Sequence, residues 1–441
     1  MLRRSLTTLH ATALVAGIII GASIFVQPSV MTGLVPSVRG VLAVWAAAGA
    51  LTLCGALIAA ELASAFPLAG GVYVFLREAY SPAMGFLWGW AMYWSMHTGI
   101  LAAIAMIFAS YLGWFVPLGG AGLRLAAIGA IVVLSAINIL GVRPGSLVQT
   151  GLTIGKVAAI GAIIAVAYAV GPRVPIPPPA AIVVSATPAR AYALALVAGL
   201  FAFGGWHMVT YAAEETAEPE RTIPRALIAG TILVTVCYMA LNAAYFHVLP
   251  VARVIASPHV AADAADAVLG GGGAAIMAAL VVVSTLGALA GVVLAGPRVY
   301  LAMARDGLLF GWLGQLHPRF RTPHRALLLQ AAWAVVLVST GTYRALFSRV
   351  VLTEWLFFTL MAVGVVVLHR RPGYAPAYRL RWHPAIPLVF AAAALYIVAT
   401  QLAARPGEGV TGLLLVGAGW PVYHLWLRKR DPSTSVANNA D

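Results

Sequence analysis

The chain has 441 residues, 62% of them hydrophobic and only 9% charged, with a mean hydropathy of +0.93. A water-soluble domain carries roughly a quarter charged residues, so this composition excludes a soluble enzyme or binding module. The formal net charge of +14 comes from arginines scattered through short segments, with Lys156 and Lys429 the only lysines. That scatter argues against nucleic acid as a partner.

Apolar runs of about 20 residues, the length of a helix that crosses hydrocarbon, recur along the whole chain. Breaker residues divide them into about twelve spans, near 13–34, 41–66, 83–115, 123–141, 146–170, 191–213, 224–248, 272–303, 324–341, 347–369, 384–404 and 408–428. Strands of a barrel would alternate apolar and polar residues. The expected fold class is therefore an all-α polytopic membrane protein. Arg3 and Arg4 precede a first run too long for a signal peptide core, so that span is expected to stay.

With the amino terminus inside, about 18 of the 27 basic residues fall on cytoplasmic segments and about 8 outside, Lys156 lying within a span. This asymmetry places both termini in the cytoplasm of a cell (inner) membrane. "GPRVPIPPPA" (171–180) reads as an extended outer strap. Residues 250–268 read as short outer surface helices, and 429–441 as a polar cytoplasmic tail. Cys54 and Cys237 sit in apolar runs without metal-ligand spacing, as thiols rather than a disulfide or metal site.

Two spans contain matching weak points. The first holds "GIIIGASIF" (17–25), and the sixth, one five-helix unit later, holds "GLFAFGGWH" (199–207). Each interior glycine costs a helix roughly 1 kcal/mol relative to alanine. Small residues also permit close helix packing, but a pair of interruptions in corresponding positions points to a secondary transporter built from inverted repeats. A break at bilayer depth exposes N–H groups at the start of one half-helix and carbonyls at the end of the other. The donors suit a carboxylate and the carbonyls suit an ammonium, which together describe an amino acid.

These stretches, with "AELASAFPLAGGVYVFLREAY", "INILGVRPGSLVQTGLTIGKVAAI", "LFAFGGWHMVTYAAEETAEPERTIPRAL", "RVYLAMARDGLLF" and "EWLFF" followed by "LHRRP", occur in order through the tenth span. In this the chain resembles the amino acid–polyamine–organocation superfamily, and within it the L-type amino acid transporter-like branch. The resemblance implies a leucine-transporter-type fold of two inverted five-helix repeats, 1–170 and 191–369, with helices 1 and 6 broken, followed by two more helices at 384–428. It implies alternating-access movement of amino acids, often by obligatory exchange. Carried over by position, Gly21, Ala22 and Ser23 form the first-span triplet, and the N–H groups of Ala22 and Ser23 would meet the α-carboxylate. The carbonyls of Ile19, Phe201 and Gly204 would meet the ammonium. Phe201, ahead of Gly204 and Gly205, would be an aromatic gate with Trp206 behind it. Relatives have glycine where Ser23 stands, so its side chain bears on the size of substrate accepted.

Lys156 is the only lysine inside a span, and an unpaired ammonium in hydrocarbon is costly. The resemblance puts it where sodium-coupled relatives hold a cation. It is expected to bond carbonyls near Gly17 and Ile18 and hydroxyls such as those of Ser284 and Thr285, with proton coupling through it an option. Glu61 is expected to pair with a cytoplasmic arginine. Glu214, Glu215, Glu218 and Glu220 sit beside Arg221 and Arg225 at the cytoplasmic end of the sixth span, where a gate or a helix-end salt-bridge cluster is expected and not catalysis. Glu354 is placed near the outer end of the tenth, as an interface residue or a participant in gating or proton coupling. Tyr93, Trp94, His97 and His207 are candidates to line the pocket, His207 as a substrate neighbour.

No Walker-type phosphate loop, "HExxH" or "GxSxG" occurs, which argues against an ATP-driven pump and against an enzyme. The expected function is secondary transport of small or medium neutral amino acids, as an exchanger or proton-linked uptake system. Neither broken stretch carries an acid or an arginine, which disfavours strictly cationic and dicarboxylic substrates. Polyamine or amine export is the alternative, ahead of a channel-like pore or a non-transporting receptor. No cofactor is implied. The implied partners are an amino acid and membrane lipid, and no lone outer cysteine marks a linked subunit.

Overall fold

The structure is a computed structural model describing residues 4–171, 188–270, 272–341, 343–404 and 406–428. Helices α1 (Thr8–Ile19) and α2 (Ser23–Leu34) form the first span, bent by 47° at Ile20–Ala22. Then follow α3 (Val38–Ala65), a short α4 (Val72–Ala79), α5 (Pro82–Leu112), α6 (Gly120–Leu140) and α7 (Val142–Val170). In the second half α8 (Pro188–Ala202) gives way to a 3-10 helix, Trp206–Glu215, across the turn 203–205. After it come α9 (Pro219–Val248), the short α10 (Val251–Ala256) and α11 (Val260–Leu269), and α12 (Gly273–Arg305), whose helical hydrogen bonding is interrupted at Gly296 before Pro297. The chain continues through α13 (His324–Thr340), α14 (Tyr343–Leu368), α15 (Ala385–Ala404), α16 (Pro406–Gly417) and α17 (Gly419–Arg428).

Among the described residues, eight helices are long and apolar enough to span a bilayer, or nine if the bent pair α1 and α2 counts as one. α13 and the Leu352–Leu368 part of α14 are apolar but shorter. The expected twelve is therefore not reached on length and apolarity alone. The last expected span, 408–428, is divided at Ala418 into pieces of 12 and 10 residues, each too short to cross by itself. The expected outer helices at 250–268 are α10 and α11, and α11 buries Val260, Ala261, Ala264, Ala265 and Val268 instead of lying on the surface. The proline-rich strap beyond Gly171 and the tail from Lys429 lie outside the described residues.

α1 is enclosed by α7, α9 and α12, and α8 runs between α2 and α3. Both interrupted spans are thus packed inside the bundle against other helices, which is where irregular backbone is tolerated at membrane depth. Among the described residues the only β-type pairing joins Leu6 to Thr216. There the N–H groups of Ser5 and Leu6 donate to the Glu215 carbonyl at 2.8 and 2.9 Å, and Ala217 N–H donates to Leu6. The end of the first span that carries the amino terminus is so fastened to the end of the sixth.

Salt bridges gather at the same face, and most of the partners come from α12 and the residue after it. Glu215 pairs with Arg298, both side chains fully buried. Glu214 pairs with Arg305, whereas Glu218 reaches Arg221 only on the exposed surface. Arg77 of α4 bonds Asp306, which also accepts from Tyr73 Oη at 2.5 Å. Burial and the Asp306 carboxylate raise the Tyr73 hydroxyl well above the ordinary phenol range, so it stays a donor. Among the described residues Glu61 takes no arginine. It bonds His369 Nε2, Tyr374 Oη at 3.1 Å and the Leu380 N–H at 2.7 Å, because the segment after α14 folds back across the end of α3.

Candidate functional site: a cavity between two interrupted helices

The α1 helix stops at Ile20, whose ψ of 83° turns the chain out of the helical path. Gly21 N–H bonds back to the Ile19 carbonyl at 2.8 Å, and α2 restarts at Ser23. The first N–H groups of α2 have no acceptor within their own helix. In the sixth span, Phe203 and Gly204 close a tight turn onto Leu200 and Phe201. Gly205 follows at φ +89°, where a Cβ would run into Ile18 on the facing break. A residue with a side chain is excluded there both by backbone conformation and by the closeness of the two broken helices.

Between the breaks lies a cavity of about 90 Å³. Ile19, Gly21, Ala22 and Ser23 line it from the first span, and Phe201, Gly204, Gly205 and Trp206 from the sixth. Ile100, Ile104 and Ile107 of α5, Thr285 and Val292 of α12, and Glu354, Trp355 and Phe358 of α14 complete the wall. Its space suits a handful of water molecules, the scale of a small amino acid.

Three elements hold this arrangement. Tyr238 of α9 places its hydroxyl 2.9 Å from the Ile19 carbonyl and 3.1 Å from the Ala202 carbonyl, the residues at which the two spans interrupt. One phenol therefore ties both unwound segments. Lys156 of α7, fully buried, donates to the carbonyls of Gly17 at 2.9 Å, Ile20 at 2.7 Å and Ser284 at 2.9 Å. The Ser284 hydroxyl adds a bond to Ile20 at 3.0 Å. Gln149 and Thr153 secure the Ala13 carbonyl one turn earlier.

A profile of the amino acid permease family matches residues 6–414. The chain belongs to the amino acid permease family. It is 31% identical to the serine/threonine exchanger SteT of Bacillus subtilis, over 98% of both chains. It is 29% identical to the mouse b(0,+)-type amino acid transporter 1, covering 97% of this chain and 88% of that one. With the human large neutral amino acids transporter small subunit 2 the identity is 30%, over 96% and 80%. The permease is an integral membrane transporter and not an enzyme, and relatives named for amino acids set the polyamine alternative aside.

Several residues of the permease sit differently from the sequence-based expectation. Lys156 bonds Ile20 in place of Ile18, because the carbonyls that lose their helical partners are the last ones before the break. It takes the backbone carbonyl of Ser284 and not the hydroxyl, and Thr285 donates into its own helix, to Val281, while lining the cavity. The Ile19 carbonyl accepts from Gly21 N–H and shares the single Tyr238 hydroxyl hydrogen with the Ala202 carbonyl. His207 is not on the cavity wall. It is buried behind it, its Nε2 2.8 Å from Tyr211 Oη, with Phe358 and Trp206 packed on the ring.

Tyr93 and Trp94 turn away into a cluster with Tyr300 and Trp333, at a π-helical turn over Met92–Met96, and His97 bonds the Val292 carbonyl. Glu354 is no interface residue: it is 7% exposed and lines the cavity itself. Tyr238 was not legible beforehand; its one signal is a lone phenol in the apolar run "LVTVCYMAL".

Proposed function

We propose that this permease moves small or medium neutral amino acids across the cell membrane by exchange, through alternating access of the cavity. The observation that carries the reading is the cavity itself, enclosed by two interrupted helices whose unwound backbone presents N–H groups and carbonyls at bilayer depth. The N–H groups of Ala22 and Ser23, at the positive end of α2, hold the α-carboxylate. The carbonyls of Phe201 and Gly204 hold the ammonium, and Phe201 acts as the gate. The apolar wall of isoleucines from α5 receives a short side chain. The likeness to a serine/threonine exchanger over nearly the whole of both chains supports exchange of substrates of this size.

The alternating units are residues 1–170 and 191–369, with 384–428 as a flanking pair. Lys156 takes the place of a coupling cation, holding α1 to α7 and α12 through three carbonyls. The distribution of arginines supports both termini in the cytoplasm, which makes the salt-bridged face the inner one.

Purified protein in liposomes tests the reading. Uptake of labelled serine should be saturable and several-fold faster from vesicles loaded with threonine than from empty ones, while putrescine in the lumen gives no stimulation. Conductance without counterflow would support a pore, and binding without uptake a receptor. Either result overturns the proposal.

A further inference from the structure

The backbone groups around the two breaks account for the charges of an amino acid, and Glu354 has no part in that. Among the residues lining the cavity it alone carries an ionisable side chain. It makes no hydrogen bond among the described residues, and it faces His207, Nε2 to Oε1 at 3.7 Å. Its side chain keeps a tenth of its surface open in a residue otherwise buried. The buried ammonium of Lys156 is committed to three carbonyls, which exhausts its donors. A lone carboxylate at this depth is costly unless it is neutralised, and intramembrane acids paired with histidine serve as proton carriers.

We infer that Glu354 binds a proton while the cavity is open to one side of the membrane and releases it to water while open to the other, with His207 as its positioning partner. This rests on the alternating-access reading above and adds a coupled ion to it. On loading, an O–H bond forms on the Glu354 carboxylate with a proton from water; on release that bond breaks and the proton returns to water. No other bond changes. His207 Nε2 lies 2.8 Å from the Tyr211 hydroxyl. A shift of about 0.5 Å brings Glu354 within hydrogen-bond reach of that ring nitrogen, since hydrogen bonding needs about 3.2 Å or less; the Nδ1–H tautomer accepts from the protonated acid and the Nε2–H tautomer donates to the carboxylate.

Other groups facing this pair are His97 of α5, bonded to the Val292 carbonyl, and Tyr300 of α12, beside Tyr93. Tyr80 between α4 and α5 bonds the Leu360 carbonyl of α14. Glu61 of α3 is held by His369 at the far end of α14, and Glu408 lies in the first turn of α16, where the next residue, Gly409, backs onto Leu352. No arginine or lysine among the described residues pairs with Glu354, so its charge is open to cancellation by a proton.

The full chain in proteoliposomes, with a lumenal pH dye and labelled serine, tests this. In the wild type, serine added outside to vesicles without internal amino acid should acidify the lumen. A gradient of one pH unit, acid outside, is a tenfold difference in proton activity and should raise initial uptake several-fold. In Glu354→Gln the ratio of uptake with and without the gradient should fall to one, whatever its absolute rate, and Glu354→Asp should restore the response. His207→Gln should shift the pH at which the response is half-maximal. If the wild type transports serine without moving protons, or Glu354→Gln keeps the gradient response, the inference is overturned. A changed substrate preference in Glu354→Gln with its gradient response intact would make Glu354 a specificity residue instead. If Glu354→Gln does not fold, wild-type proton movement alone decides. Absence of counterflow in the wild type at equal pH would instead sink the carrier reading.

Discussion

Arg298 and Glu215 meet as a fully buried pair, Nε to Oε2 at 2.9 Å and Nη2 to Oε1 at 3.1 Å, with the Arg298 guanidinium also on the Leu294 carbonyl. The pair joins the end of the sixth span to α12, and the Glu215 carbonyl holds Ser5 and Leu6. It therefore closes the amino-terminal face beneath the cavity. Removing one partner of such a pair strands a charge and costs about 3–5 kcal/mol, whereas replacing both by apolar residues is often near neutral. Arg298→Ala should lower the thermal unfolding midpoint of the detergent-solubilised protein sharply, and Arg298→Met with Glu215→Met should recover most of it. A double variant no more stable than the single would contradict the argument.

Lys156 should be indispensable for transport. Lys156→Ala removes three hydrogen bonds from buried carbonyls, and although the Ser284 hydroxyl stays on Ile20, the Gly17 carbonyl loses its side-chain donor; a buried polar group left unpaired costs about 1–3 kcal/mol. Counterflow at matched protein content should drop by an order of magnitude or more. Wild-type rate and affinity in this variant would reject the role.

Tyr238→Phe keeps the ring against Trp45 and Phe203 and removes only the hydroxyl that ties Ile19 and Ala202. A hydrogen bond to a buried carbonyl is worth about 1 kcal/mol, so serine affinity should weaken roughly five- to tenfold. Expression should be normal. Equilibrium binding to the purified protein measures this, and unchanged affinity would show that the tie is dispensable for substrate.

Ser23 lines the cavity at the start of α2. Ser23→Gly should admit larger neutral side chains, seen as leucine competing with labelled serine at lower concentration than in the wild type. Ser23→Val should weaken serine itself. Equal competition profiles across the three proteins would mean that this side chain does not set substrate size.

The sequence by itself determined the class of the molecule and where it would be interrupted. Long apolar runs leave the helix as the only way to satisfy backbone groups in lipid, and the breaks fall at Gly21 and at Gly204 and Gly205, whereas Gly17 and Gly199, expected to weaken the same spans, lie inside intact helices. A lone lysine in an apolar run had to face carbonyls, and it does. The tertiary structure alone decided which carbonyls these are, because partners depend on how α1, α7 and α12 pack and not on spacing along the chain. For the same reason it moved His207 behind the cavity wall and brought Glu354 from the presumed interface into the cavity. It also paired Glu61 with His369 and not with an arginine, and let Tyr238 span both breaks. Periodicity reports burial along one helix, whereas these contacts join residues 35 to 310 positions apart, roughly, and only folding fixes them.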